Sequence, residues 1–193
     1  MNRSDKFEKI KITKVSTNKV CCNVYYDAFG IEKVRLQNVN YGDKKSIDCY
    51  LDFEEIALLA TDAASGRLIK QLEAGQKTIS MGGSKSSKNY NGAPESRILS
   101  LGKSGEKIFI NMSRGKGKIG DKGQIMPDGA PDLKIGVPVE VDKFRSMLIY
   151  AHDWVNAYLA HFTNKLVREA MEERKNFATP DVVDNKDVET SED

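Results

Sequence analysis

The stretch Ile47-Asp48-Cys49-Tyr50-Leu51-Asp52-Phe53-Glu54-Glu55-Ile56-Ala57-Leu58-Leu59-Ala60 contains the change of period that decides the fold. Up to Leu51 apolar residues alternate, as in a half-buried strand; from Phe53 they recur at steps of three and four, as on one face of a helix. Asp52 stands at the junction, where a short acceptor side chain suits an N-cap. Glu54 and Glu55 follow in the first turn, where the helix dipole favours negative charge.

Upstream, the same alternation repeats three times. Ile10 and Ile12 face one way and Lys9, Lys11 and Thr13 the other. Val20, Cys22, Val24 and Tyr26 face in, with Lys19, Cys21, Asn23 and Tyr25 out. Val34 and Leu36 face in, with Lys33, Arg35 and Gln37 out. Four strands followed by a helix result, closed by Gly66 or extended through Leu72.

Downstream the pattern restarts. Strands are expected around Ile79–Met81, Arg97–Leu101, Lys107–Met112, weakly at Gln124–Met126, and at Val137–Val141. A long polar loop, Ser84 to Pro94, and a Gly/Lys-rich connection, Ser113 to Gly123, separate them. Asp142 then caps a helix whose apolar residues, from Phe144 through Trp154 to Val167, continue to about Arg174, or ~50 Å at 1.5 Å per residue. That exceeds what one sheet face covers, so Trp154, Tyr158, Phe162 and Leu166 are expected to pack on a second copy, making a homodimer or higher homo-oligomer.

At an offset of 91, Phe53 falls on Phe144, Ile56 on Met147, Leu58 on Ile149, Ala60 on Ala151 and Asp62 on Asp153. The chain therefore reads as α+β: two ββββα repeats of curved antiparallel sheet packed on helices, residues 1–75 and 76–175, with a disordered acidic tail at 176–193.

Composition narrows the function. The N-terminus is polar with no signal-peptide core, and no apolar run approaches the roughly 18 residues of a membrane span, so a soluble cytoplasmic protein is expected. Cys21, Cys22 and Cys49 form neither a disulfide framework nor a metal-ligand spacing and read as reduced core residues. His152 and His161 sit on opposite sides of one helix. No H-E-x-x-H, G-x-S-x-G, Rossmann or P-loop pattern occurs, so a non-enzymatic protein without metal or cofactor is expected.

Net charge is +2, but residues 181–193 hold six acids and one base, which leaves +7 on the rest. A basic body with an acidic tail points to a polyanionic partner, with the tail a competitor or a dock for another protein. The outward face of the first half collects Lys9, Lys11, Lys19, Lys33, Arg35, Tyr25 and Tyr50, with Asp48 the acidic exception. Residues 76–138 carry eleven bases against five acids, including Lys85, Lys88, Arg97, Lys107, Arg114, Lys116, Lys118 and Lys122. Tyr90 lies in the basic loop and Phe109 points outward beside Lys107. Lysines interleaved with rings on a sheet suit single-stranded nucleic acid, the cations meeting phosphates and the rings stacking on unpaired bases.

Two ββββα units with a basic sheet resemble the PC4/Whirly/PUR superfamily of single-stranded nucleic-acid binders. The strand and basic hairpin Lys107 to Lys118, followed by Val139-Glu140-Val141-Asp142-Lys143-Phe144, carry most of that likeness. The resemblance implies strand binding through Lys107, Phe109, Arg114, Lys116 and Lys118, and dimerisation through the helices. The long final helix and the Ser84 to Pro94 loop depart from the pattern. The expected function is a single-stranded DNA-binding protein of low sequence specificity, serving replication, recombination or transcription in a bacterium or phage. The alternatives are an RNA-binding protein using the same sheet, and an interaction module or inhibitor working through the final helix.

Overall fold

A computed structural model describes residues 10–27 and 33–177, with side chains except at 27, 162 and 173–177. Strands β1 (Ile10–Ser16), β2 (Val20–Asp27), β3 (Lys33–Asn40) and β4 (Lys45–Asp52) form an antiparallel meander in chain order. Helices α1 (Phe53–Ala64) and α2 (Arg67–Ala74) follow. A second sheet contains β5 (Lys77–Ser84), β6 (Glu95–Ser104), β7 (Lys107–Ile119), β8 (Ile125–Pro127) and β9 (Leu133–Glu140). Its order is β5-β6-β7-β8, and β9 also pairs with β7. Helix α3 runs Val141–Phe177. Contacts divide the chain into two units, one ending at Val155 and one beginning at Asn156.

The core of the first unit follows the sequence alternation. Val24, Tyr26, Val34, Leu36, Ile47, Cys49 and Leu51 come from the first sheet; Leu99, Leu101, Ile108, Ile110, Met112, Ile135, Val137 and Val139 come from the second. Ile56, Leu68, Leu72, Phe144, Met147 and Leu148 add the apolar stripes of the helices. One polar residue crosses this interior. Asn38, with no exposed surface, donates from Nδ2 to the carbonyls of Ile110 (2.8 Å) and Ile135 (3.0 Å), tying β3 to β7 and β9.

The helix junction forms as expected at its first end. Glu55 accepts from the Asp52 amide at 2.8 Å, the return half of a capping box, while the Asp52 carboxylate pairs with Lys33 at 2.7 Å. Gly66, at φ 78°, breaks α1 from α2 instead of extending it. Buried Asp62 is gripped by Arg67 across that break.

Three expectations need correction. The register of β1 on β2 shifts between Lys11 and Thr13, so Ile10 and Thr13 share a face and the simple alternation of β1 fails at a bulge. Strand β7 continues to Ile119, so most of the Ser113 to Gly123 segment is strand, turning through Gly120–Gly123 into β8. Helix α3 begins at Val141, which places Asp142 inside the first turn instead of at the cap. The tail beyond residue 177 lies outside the described residues.

Candidate nucleic-acid interface

Strand parity divides the expected cation set. On β7, Lys107, Phe109, Asn111 and Ser113 share the face turned away from the core, whereas Arg114, Lys116 and Lys118 share parity with Ile108, Ile110 and Met112. The strand that resembles a continuous basic platform therefore presents Lys107 and Phe109 to one side and its later cations to the other.

The outward face of the second sheet has small neighbours around its one aromatic. Phe109 is flanked across the ladder by Gly102 and Pro138, and Asn111 by Ser100 and Gly136. Gly102 puts no side chain against the half-buried Phe109, and a Cβ there would meet only the Asn111 amide, at 3.9 Å. A Cβ on Gly136 would stand 2.7 Å from Asn111 Oδ1, so glycine there makes room for the Asn111 amide. A cleft of about 490 Å³ runs along this face, lined among others by Gln76, Thr78, Ile98, Asn111, Ser113 and Lys134. Pro131 walls one end, where a Cβ on Gly115 would meet the Pro131 Cα at 2.9 Å. Lys107 sits opposite Glu140, whose carboxyl is held below its ordinary value chiefly by a hydrogen bond from Lys143, with Lys107 a lesser influence. Lys107 and Lys134 make no ion pair among the described residues.

The outward face of the first sheet is different. Arg35, expected to face solvent, is 5% exposed; it lies 4.5 Å from the Tyr25 ring centroid and 3.9 Å from Asp48. Lys11 covers the same ring at 5.6 Å, and the Tyr25 hydroxyl donates to Gln37. Cys21 and Asn23 are also buried on this side, because central strands give each side chain neighbours on both flanks. Lys33 is taken by Asp52, and Lys19 lies in the turn before β2. The expected platform of Lys11, Lys33, Arg35 and Tyr25 is thus largely a self-paired polar layer. Lys9 lies outside the described residues. Tyr50 is half-buried beside a separate cleft between β4 and β5, lined by Met81, Gly82 and Gly83.

Arg97 is also corrected. It donates to the fully buried Glu95 through Nε (2.7 Å) and Nη2 (2.6 Å), and Nη1 reaches the Asp48 carbonyl at 3.3 Å. Ser87 and Asn89 each donate to the other Glu95 oxygen at 2.8 Å. Burial alone would raise this carboxyl, but the donors from Asn89, Ser87 and Arg97 outweigh it and hold it below the ordinary value. This network, with a 3-10 turn at Lys88–Tyr90, fastens the Ser84 to Pro94 segment expected to be a long polar loop. Lys85 and Lys88 are exposed on it, and Tyr90 donates to Asp132 at 2.7 Å. Lys116 pairs with Asp128 at 3.5 Å; Lys118 and Lys122 are exposed on the β7–β8 hairpin.

On α3, Trp154 stacks on Tyr26 (6.2 Å between centroids), which stacks on Phe53 (6.0 Å), so its ring is partly committed to the fold of its own chain. Tyr158 is half-buried, and the Phe162 side chain lies outside the described residues. Leu159, Leu166, Val167 and Met171 are exposed. Burial pushes the thiols of Cys22 and Cys49 up, the latter to about 12, as suits inert core residues. No helix among the described residues is long and apolar enough to cross a membrane. Gln76, Thr78 and Ser113 were missing from the expected site; Asn111, legible as outward beside Phe109, and Lys134, one of the eleven bases of the second half, were legible but not assigned to it. No family model and no curated protein matches this chain.

Proposed function

We propose that this protein binds single-stranded nucleic acid, DNA in the first instance, on the outward face of its second sheet. The observation that carries the reading is Phe109, flanked by Gly102 and Pro138 and bordered by Lys107, on the same face as a polar cleft bearing Asn111, Ser113 and Lys134. The ring supplies a stacking surface for an unpaired base, the lysines meet phosphates, and the amide and hydroxyl groups tolerate varied base edges. Low sequence specificity follows. Fluorescence anisotropy on a labelled single strand and its duplex, over a salt series, tests this. Phe109→Ala should weaken single-strand binding by about 1–3 kcal/mol. Equal affinity for the duplex, or no effect of the substitution, would overturn it. Parallel RNA titrations separate the RNA alternative, since the 2′-hydroxyl is a distinguishing handle.

We also read the two halves as copies of one unit. Phe53 and Phe144, Ile56 and Met147, and Ala60 and Ala151 are buried in pairs, while Leu58 and Ile149 are both exposed. On this reading β5, β6, β7 and β9 correspond to β1 through β4, with β8 an added hairpin. Self-association through α3 is favoured by the exposed Leu159, Leu166, Val167 and Met171. The acidic residues 181–193 compete with the ligand in this account, so removing them should raise affinity.

A further inference from the structure

A second concave surface lies at the end of the core on the opposite face of β7. Arg114 from β7, Lys45 from the start of β4, and Asn89, Tyr90, Asp132 and Leu133 line a cleft of about 250 Å³. Arg114 is half-buried, and its Nε is shut off from solvent with no hydrogen-bond partner. A carboxylate is close by without neutralising it. The Asp132 amide donates to the Arg114 carbonyl at 2.9 Å, which fixes the two residues side by side, yet the Asp132 carboxylate accepts from the Tyr90 hydroxyl at 2.7 Å. Arg114 makes no ion pair among the described residues. Asn89 is held in place by its bond to buried Glu95, so the wall carrying Tyr90 is anchored. Lys45 is exposed at the mouth, also without an ion pair among the described residues.

Two cations from strands of different sheets line one walled cleft, and neither is in an ion pair among the described residues, which meets the needs of a tetrahedral oxyanion. Guanidinium supplies paired donors, and ammonium supplies a point charge. We propose that this cleft holds one phosphate of the bound single strand, gripped by Arg114 and Lys45, with Tyr90 against the adjoining sugar or base. The inference rests on the single-strand reading and extends it, giving the strand a contact off the Phe109 face.

The test uses the full chain, its Lys45→Gln and Arg114→Gln variants and the double variant, with a fluorescein-labelled oligothymidylate over a salt series. Circular dichroism and thermal unfolding check that each variant folds; Lys45→Gln, at an exposed position, serves alone if Arg114→Gln does not fold. The slope of log affinity against log salt should become shallower by about 0.7, the value for one phosphate contact on a single strand. The Arg114 Nε–H resonance should move on addition of the oligonucleotide and not on addition of inorganic phosphate at the same phosphate concentration. If the parent chain binds the oligonucleotide but the slope and the resonance stay unchanged, this site is overturned and the Phe109 reading survives. If inorganic phosphate moves the resonance equally, the site is one for free phosphate and the proposal fails. If the parent chain binds no oligonucleotide, both readings fall.

Discussion

Single residues separate the roles that composition lumps together. Lys107, Arg97 and Arg35 look alike in the sequence, as bases on outward or loop-edge positions. In the fold Arg97 belongs to Glu95, and Arg35 lies between Tyr25 and Asp48. Only the folded chain decides this: Asp48 lies on the strand next to Arg35, and Glu95, although two residues from Arg97, is held by Ser87 and Asn89 of the loop. Removing Glu95 strands Arg97, Ser87 and Asn89 at once. Glu95→Ala should cost on the order of 3 kcal/mol in urea unfolding, as for other broken buried pairs. The pH dependence has a defined sign. The folded-state carboxyl is depressed below the ordinary value, so its stabilising contribution is fully present above that value and is lost as pH falls through the lower folded one. Acid unfolding of Glu95→Gln should therefore show a weaker pH dependence below about pH 4.5 than the parent chain. Asn38 makes a comparable case: Asn38→Ala leaves two interior carbonyls without their donor and should destabilise by about 2 kcal/mol.

At the level of elements, periodicity carried most of the fold. The inward residues of β2, β3, β4, β7 and β9 are those that alternation selects, and α1 and α3 bury the expected stripes. It failed where geometry departs from strict period. The bulge in β1 reverses the face of Thr13, and a one-residue slip inverts every following side chain. The length of β7 was hidden because Gly115 and Gly117 look like loop residues. They are glycines because β7 runs against other backbone: a Cβ at Gly117 would stand 2.9 Å from the Ser96 amide nitrogen. Gly83 is the strictest of these positions, at φ 150° with an added Cβ only 1.8 Å from the Glu95 carbonyl oxygen. Gly83→Ala should force β5 away from β6 and lower thermal stability by more than about 2 kcal/mol. The candidate site was legible only in part. Phe109 and Lys107 were visible from parity, but the polar residues of the neighbouring cleft, Gln76, Thr78, Asn111, Ser113 and Lys134, come from three separate stretches of sequence.

For the molecule as a whole, the proposed single-strand ligand joins net charge to surface chemistry. A net +7 over residues 1–180 attracts a polyanion at long range, but attraction alone does not distinguish single strands from duplexes. In the proposal the distinction rests on Phe109, because a base is available for stacking only where it is unpaired. Truncation before residue 181 should raise affinity at low salt and matter less as salt screens the tail. The most direct measurement is a two-dimensional amide NMR titration of the full chain with a short oligothymidylate. The account predicts shifts concentrated at Ile98, Gly102, Phe109, Asn111, Ser113 and Gly136. Shifts confined to α3, or none in this strand set at saturating oligonucleotide, would contradict it.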